Sequence, residues 1–182
     1  GCTTSNVNVV GGLTPGQTYY IRVYTWDSEW YNVSFKICVT TPAPTSAPTN
    51  DECAAAIPLT VNANTNCNAI TAGNTLGATQ SATPSCAGET DDDIWYSFVA
   101  TQNTHSVTLS NIVSTGTLNT NQLYTQVFSG TCAALTSLKC SFSNTTNISG
   151  LIAGQTYYLR IYTSQGSGYN ASFNICVGVP AI

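Results

Sequence analysis

The side chains able to do chemistry are few and grouped. Residues 45–182 contain six acidic residues, and all fall in two places: Asp51 with Glu52, and the run "ETDDD" over 89–93. Carboxylates concentrated on loops, with little Lys or Arg beside them, offer the hard oxygen ligands that calcium takes. Asp51, Asp91, Asp92 and Asp93 are therefore candidate calcium ligands. The competing reading is a solvated acidic loop leading into "IWYSF". No other cofactor is suggested.

Eight Cys in 182 residues point to disulfides and an oxidising compartment. No CxxC pair occurs and His105 is the single His, which argues against zinc. Six of the eight are Cys53, Cys67, Cys86, Cys132, Cys140 and Cys176. Six Cys allow fifteen pairings. Cys132 and Cys140 flank what reads as a short connection between strands and are the expected pair, closing a hairpin loop. The other four are left open, as Cys53–Cys67 with Cys86–Cys176 or with partners exchanged. Cys2 and Cys38 are expected to find their partners outside this chain segment.

A Ser–His–Asp arrangement would have to use His105, which opens an alternating strand and reads as solvent-facing. No nucleophile elbow or metal-hydrolase motif is visible, so no catalytic residue is expected. Two faces, Tyr20–Arg22–Tyr24 and Tyr158–Arg160–Tyr162, combine aromatics with an Arg. Such a face stacks on sugars or on a neighbour, or serves as an ordinary cross-strand ladder. Sequons occur at Asn32, Asn144, Asn147 and Asn170, and Thr40, Thr41, Thr45 and Ser46 are O-glycan candidates. Glycans would give a charge-poor surface another source of solubility.

The background of these residues is unusual. The chain is 42% hydrophobic and only 7% charged, against about 25% charged in a typical soluble domain. With four basic residues and a net charge of −4, it lacks the clustered Lys and Arg that nucleic acid requires, and the shortage also disfavours anionic membranes. No apolar run approaches the ~20 residues of a membrane span. Met is absent and no signal peptide is present, so the chain is expected to be a mature or excised piece of something longer.

The elements that position these residues show a repeat. "GLTPGQTYYIRVYT" over 12–25 returns as "GLIAGQTYYLRIYT" over 150–163, and the offset of 138 holds without a gap from 1–44 against 139–182, with 22 of 44 positions identical. Residues 1–39 are thus expected to be the end of one repeat, 40–49 a Pro/Thr-rich linker, and 50–182 a complete repeat. A period this long predicts self-standing domains in tandem. "TYYIRVYT", "TYYLRIYT", "DIWYSFVAT", "HSVTLSNI", "LYTQVFSG" and "ASFNICVG" alternate with period two. Gly16 and Gly154 are expected at positive φ in the turn before the Tyr-rich strand, and "CAAAI" hints at one helical turn. The expected fold is all-β: an antiparallel, jelly-roll-like β-sandwich of about eight strands.

"NDECAAAIPLTV", "DDDIWYSFVAT", "VFSGTCAALTSLKCS", "GLIAGQTYYLRIYT" and "FNICV", in this order, resemble the bacterial pre-peptidase C-terminal-like β-sandwich. The resemblance is to the tandem, Cys-rich form found in large secreted adhesin-like proteins, including type IX secretion substrates. It implies an extracellular or cell-surface location and a non-catalytic role. The expected function is a structural or adhesive repeat of a surface filament, assembling head-to-tail with neighbouring copies. The alternative is a carbohydrate- or substrate-targeting module of a secreted hydrolase, with surface glycans as partners.

Overall fold

The computed structural model describes residues 16–24, 34–39, 46–84, 86–114, 123–164 and 169–181. The chain divides into two compact units, Gly1–Pro44 and Thr45–Ile182.

The second unit is built from alternating sequences that have one apolar face each. Its strands are β1 (Ile57–Pro58), β2 (Val61–Asn62), β3 (Thr71–Asn74), β4 (Ile94–Val99), β5 (His105–Ser114), β6 (Leu123–Thr131), β7 (Ala134–Ser141), β8 (Thr145–Ile148), β9 (Thr156–Thr163) and β10 (Ala171–Gly178). One sheet runs β1-β4-β9-β6-β7; the other runs β2-β10-β5-β8, with β3 also on β10. Period-two alternation sends Ile94, Tyr96 and Phe98 of β4, Tyr157, Leu159 and Ile161 of β9, and Phe173, Ile175 and Val177 of β10 into one shared core. "CAA" forms a helical turn, a 3-10 turn at Cys53–Ala55.

The all-β sandwich matches the expectation, and the strands read from periodicity fall where they were expected in this unit. Two features differ. Ten strands are described rather than about eight, because short or polar segments (β1, β2, β3, β7, β8) carry too little alternation to be seen. The sheets are also not purely antiparallel: β1 pairs parallel with β4, and β2 parallel with β10.

In the first unit, Gly16 has φ 84°, the same as Gly154 in the second copy, as a positive-φ turn requires. The described residues that follow, 17–24 and 34–39, carry no strand. The strand expected for "TYYIRVYT" is therefore not formed over its described part. Alternation defines a strand only when a neighbouring strand accepts its hydrogen bonds.

Candidate functional site

The outer face of the first sheet carries the most concentrated polar and aromatic chemistry. Trp95 on β4 and Gln126 on β6 both lie opposite Arg160 on β9, and Gln126 lies opposite Cys140 on β7. Alternation places this row on the side away from the core. Such a face is ordinarily solvated, but here the segment between β3 and β4 lies over it, and Arg160, Trp95 and Tyr162 are fully buried.

Arg160 organises the cover. Its Nη1 donates to the carbonyl of Thr83 at 2.6 Å, and its Nη2 donates to the carbonyl of Pro84 at 2.8 Å and to Gln126 Oε1 at 2.7 Å. Nη1 also stands 3.5 Å from Asp93 Oδ2. The guanidinium sits 5.5 Å from the Trp95 ring, 5.7 Å from Phe128 and 5.3 Å from Tyr162. Burial pulls the guanidinium's pKa down and Asp93 pulls it back up. A planar, delocalised cation suits this place better than Lys, because it can stack and donate at once. Asp93 accepts from Ser81 N at 2.9 Å and from the Ser81 hydroxyl. Burial pushes its carboxyl up, opposed by Ser81 and by Arg160. The Tyr162 hydroxyl donates to the Ala87 carbonyl at 2.8 Å.

This arrangement is a clamp. Both Nη atoms of Arg160 are spent on the chain itself, and the loop fills the space a ligand would need. The Tyr158–Arg160–Tyr162 face, read from sequence as a sugar-stacking or ladder face, is closed. Elsewhere, a cavity bounded by Leu59, Thr71 and Cys176 measures about 60 Å³, room for a water or two.

The four expected calcium ligands are not brought together. Asp51 accepts from Thr79 N at 2.6 Å and from Thr79 Oγ1 at 2.8 Å. Asp93 is taken by Ser81 and Arg160. Asp92 accepts from Thr163 N at 3.0 Å, while its Oδ2 is buried without a hydrogen bond. Burial raises its pKa to about 6. Asp91 is half-buried, and burial raises it too, with Glu89 adding to the rise. Among the described residues, no three acidic, Cys or His side chains form a metal-binding group. Concentration in sequence did not become convergence in space: Asp51, Asp92 and Asp93 each meet a different donor of the chain, while Asp91 Oδ1 is buried without a hydrogen bond.

The disulfides between described residues are Cys53–Cys132, Cys67–Cys176 and Cys86–Cys140. The expected Cys132–Cys140 pair does not form. The "connection" between them is itself strand β7: Cys132 sits at the hairpin turn, while Cys140 lies six residues along β7 from Ala134, opposite Gln126. Six residues of strand span roughly 20 Å, whereas a disulfide needs Cα atoms within about 7 Å. Neither Cys53–Cys67 nor Cys86–Cys176 forms. Cys86–Cys140 ties the covering loop to the edge strand, and Cys53–Cys132 ties the 3-10 turn to the β6–β7 hairpin. Cys38 is disulfide-bonded, and Cys2 lies outside the described residues.

Of the glycan candidates, Asn147 and Ser46 are exposed and Asn144 and Asn170 are half-buried. Asn32, Thr40, Thr41 and Thr45 lie outside the described residues. His105 is not solvent-facing: it is fully buried beside Phe98, and its Nε2 accepts from Thr101 N at 3.2 Å. Burial lowers its pKa, keeping it neutral.

Other structural residues escaped the sequence reading. Asn50 donates to the Trp95 carbonyl at 2.8 Å. Asn62 donates to the carbonyls of Ala69 and Val177 and accepts from Ala69 N. Ser81, Thr83 and Pro84, the loop side of the clamp, carried no periodic signal. The only hint was Cys86, a loop Cys that had to reach some strand.

A model of a T9SS-associated family, described as galactose binding domain-like, matches residues 49–175. No curated protein matches the chain.

Proposed function

The chain belongs to this T9SS-associated galactose binding domain-like family and is a domain of a secreted, extracellular protein, and from that premise we propose that it is a structural, adhesive repeat of a bacterial surface filament. In this reading copies follow one another head-to-tail and the module catalyses nothing. The observation that carries the reading is the closed Arg160 face. A sheet face suited to stacking on a ligand is instead sealed by a loop, an ion pair and a disulfide, which serves rigidity under load. The three disulfides between described residues of the second unit support the same use, each contributing ~2–4 kcal/mol by restricting the unfolded chain. The resemblance to the pre-peptidase C-terminal-like sandwich agrees with the family in fold and export context, and its adhesin setting belongs to this proposal.

Electron microscopy of the native material tests the reading. A beaded fibre of regular spacing is expected; isolated globular particles beside a catalytic domain would refute it. The description of the family as galactose-binding-like favours a second reading, a carbohydrate-targeting module. Tight, saturable binding to a glycan array by the chain would establish that reading in place of the first.

A further inference from the structure

The two copies of the repeated stretch have identical or near-identical residues and opposite surroundings. In the second unit they are β9 and β10, each with neighbours on both sides. In the first unit the same side chains stand in solvent. Leu159 is 0% exposed and its counterpart Ile21 is 64% exposed; Tyr162 is 0% and Tyr24 is 78%; Val177 is 0% and Val39 is 77%. Phe35 and Ile37, counterparts of buried Phe173 and Ile175, are exposed as well. The turn before the strand is nevertheless already set, since Gly16 and Gly154 share a φ of 84°. Local sequence thus fixes the turn, and the strand waits for neighbours. A row of large apolar and aromatic side chains exposed together marks an interaction surface.

We infer that residues 17–24 and 34–39 are the β9 and β10 of a second sandwich, which they complete by docking onto a segment with the chemistry of residues 45–138, β1 to the start of β7, placed in tandem with them. The inference rests on the repeat part of the proposed function and not on adhesion. Its partner is specified by what β9 and β10 meet in the complete unit. The central position of β9 requires strands on both sides, the counterparts of β4 and β6. The core face requires apolar counterparts of Ile94, Tyr96, Phe98 and Val127. Arg22, which now lies 5.4 Å from the Tyr24 ring, requires a buried carboxylate where Asp93 meets Arg160. Lys36 replaces Asn174, a position that is only half-buried in β10, so its charge remains compatible with docking. A complete second copy of this chain does not fit, because its own β9 and β10 already occupy these places.

The test extends the full chain by repeating residues 45–138 ahead of Gly1, which preserves the offset of 138. Amide hydrogen exchange then compares 17–24 and 34–39 with 156–163 and 171–178 in one molecule. In the unextended chain the first pair should exchange fast and the second slowly. In the extended chain the first pair should gain protection of roughly a thousand-fold or more, as central strands do. Ile21→Asp should abolish that gain and leave β9 and β10 protected. Fast exchange of 17–24 in the extended chain, with 156–163 protected, overturns the inference. Trypsin gives an independent reading on native material: cleavage after Arg22 should be much slower than in the isolated chain, and equal rates also overturn it. Concentration-dependent protection of 17–24 in the unextended chain, accompanied by a dimer, would assign the surface to a second copy and overturn it too. Fibre formation enters none of these readouts, so failure of the filament reading and failure of this inference are distinguishable.

Discussion

Asp92 should make the module more stable in mild acid than at neutral pH. Its carboxyl is buried; Oδ1 accepts from Thr163 N at 3.0 Å, and Oδ2 has no hydrogen bond. Burial raises its pKa from 3.8 to about 6, although the Thr163 N–H and the Thr75 and Thr163 hydroxyls favour the charged form. A group whose folded pKa lies above its unfolded value binds more protons in the folded state between the two. Its stabilising contribution is therefore fully present below pH 3.8 and is lost as pH rises through about 6. The interval corresponds to about 3 kcal/mol, at ~1.4 kcal/mol for each pKa unit. Asp91 and Asp93 move in the same direction, so Asp92 must be isolated by comparison. Guanidinium unfolding of the wild type and of Asp92→Asn, at intervals from pH 4 to 8, does this. The wild type should lose stability on going from pH 4.5 to 7.5, and the difference between the two proteins should change by about 2 kcal/mol over that range, the rest of the interval lying below pH 4.5. Asn keeps an oxygen for Thr163 N and removes the buried charge, so the variant should gain relative to the wild type as pH rises. Parallel curves for the two proteins would refute the reasoning, as would a wild type that loses stability toward pH 4.5.

Arg160→Met should destabilise the second unit by about 3–5 kcal/mol, because it leaves the Asp93 carboxylate buried without its cation. Calorimetry should show a fall in Tm of ~10 °C, and Asp93→Asn combined with it should cost less than the sum of the two. Peptide mapping without reduction should recover Cys53–Cys132, Cys67–Cys176 and Cys86–Cys140, and the Cys86→Ser, Cys140→Ser double variant should lose ~2–4 kcal/mol by chemical denaturation with faster hydrogen exchange at 79–84. Because Asp51, Asp92 and Asp93 are each engaged by donors of the chain, calcium titration should give no binding heat, and EDTA should leave Tm unchanged.

The residues that were legible in advance were those with local causes. Tyr157, Leu159 and Ile161 alternate with Tyr158, Arg160 and Tyr162 because β9 has a core side and an outer side, and period two records that directly. Gly154 was legible because a turn at positive φ excludes most other residues. Ala134–Ser141 was not legible as a strand. It is an edge strand, exposed along most of both faces, so no apolar alternation marks it. From that miss came the wrong disulfide, since a strand mistaken for a loop brings its two ends together.

The sequence by itself determined that this is an all-β, disulfide-bearing chain in which one stretch recurs, because periodicity, turn glycines, Cys content and the 138-residue offset are all local or countable properties. Only the tertiary structure decided what the charged residues do. Asp51 meets Thr79, Asp93 meets Ser81 and Arg160, and Asp92 meets Thr163, across separations in sequence that no spacing rule encodes. It also decided the fate of the repeated stretch. "TYYLRIYT" is a largely buried central strand in one unit, while the described part of "TYYIRVYT" is an exposed segment in the other, because a β-strand is stabilised by neighbours that lie outside its own sequence.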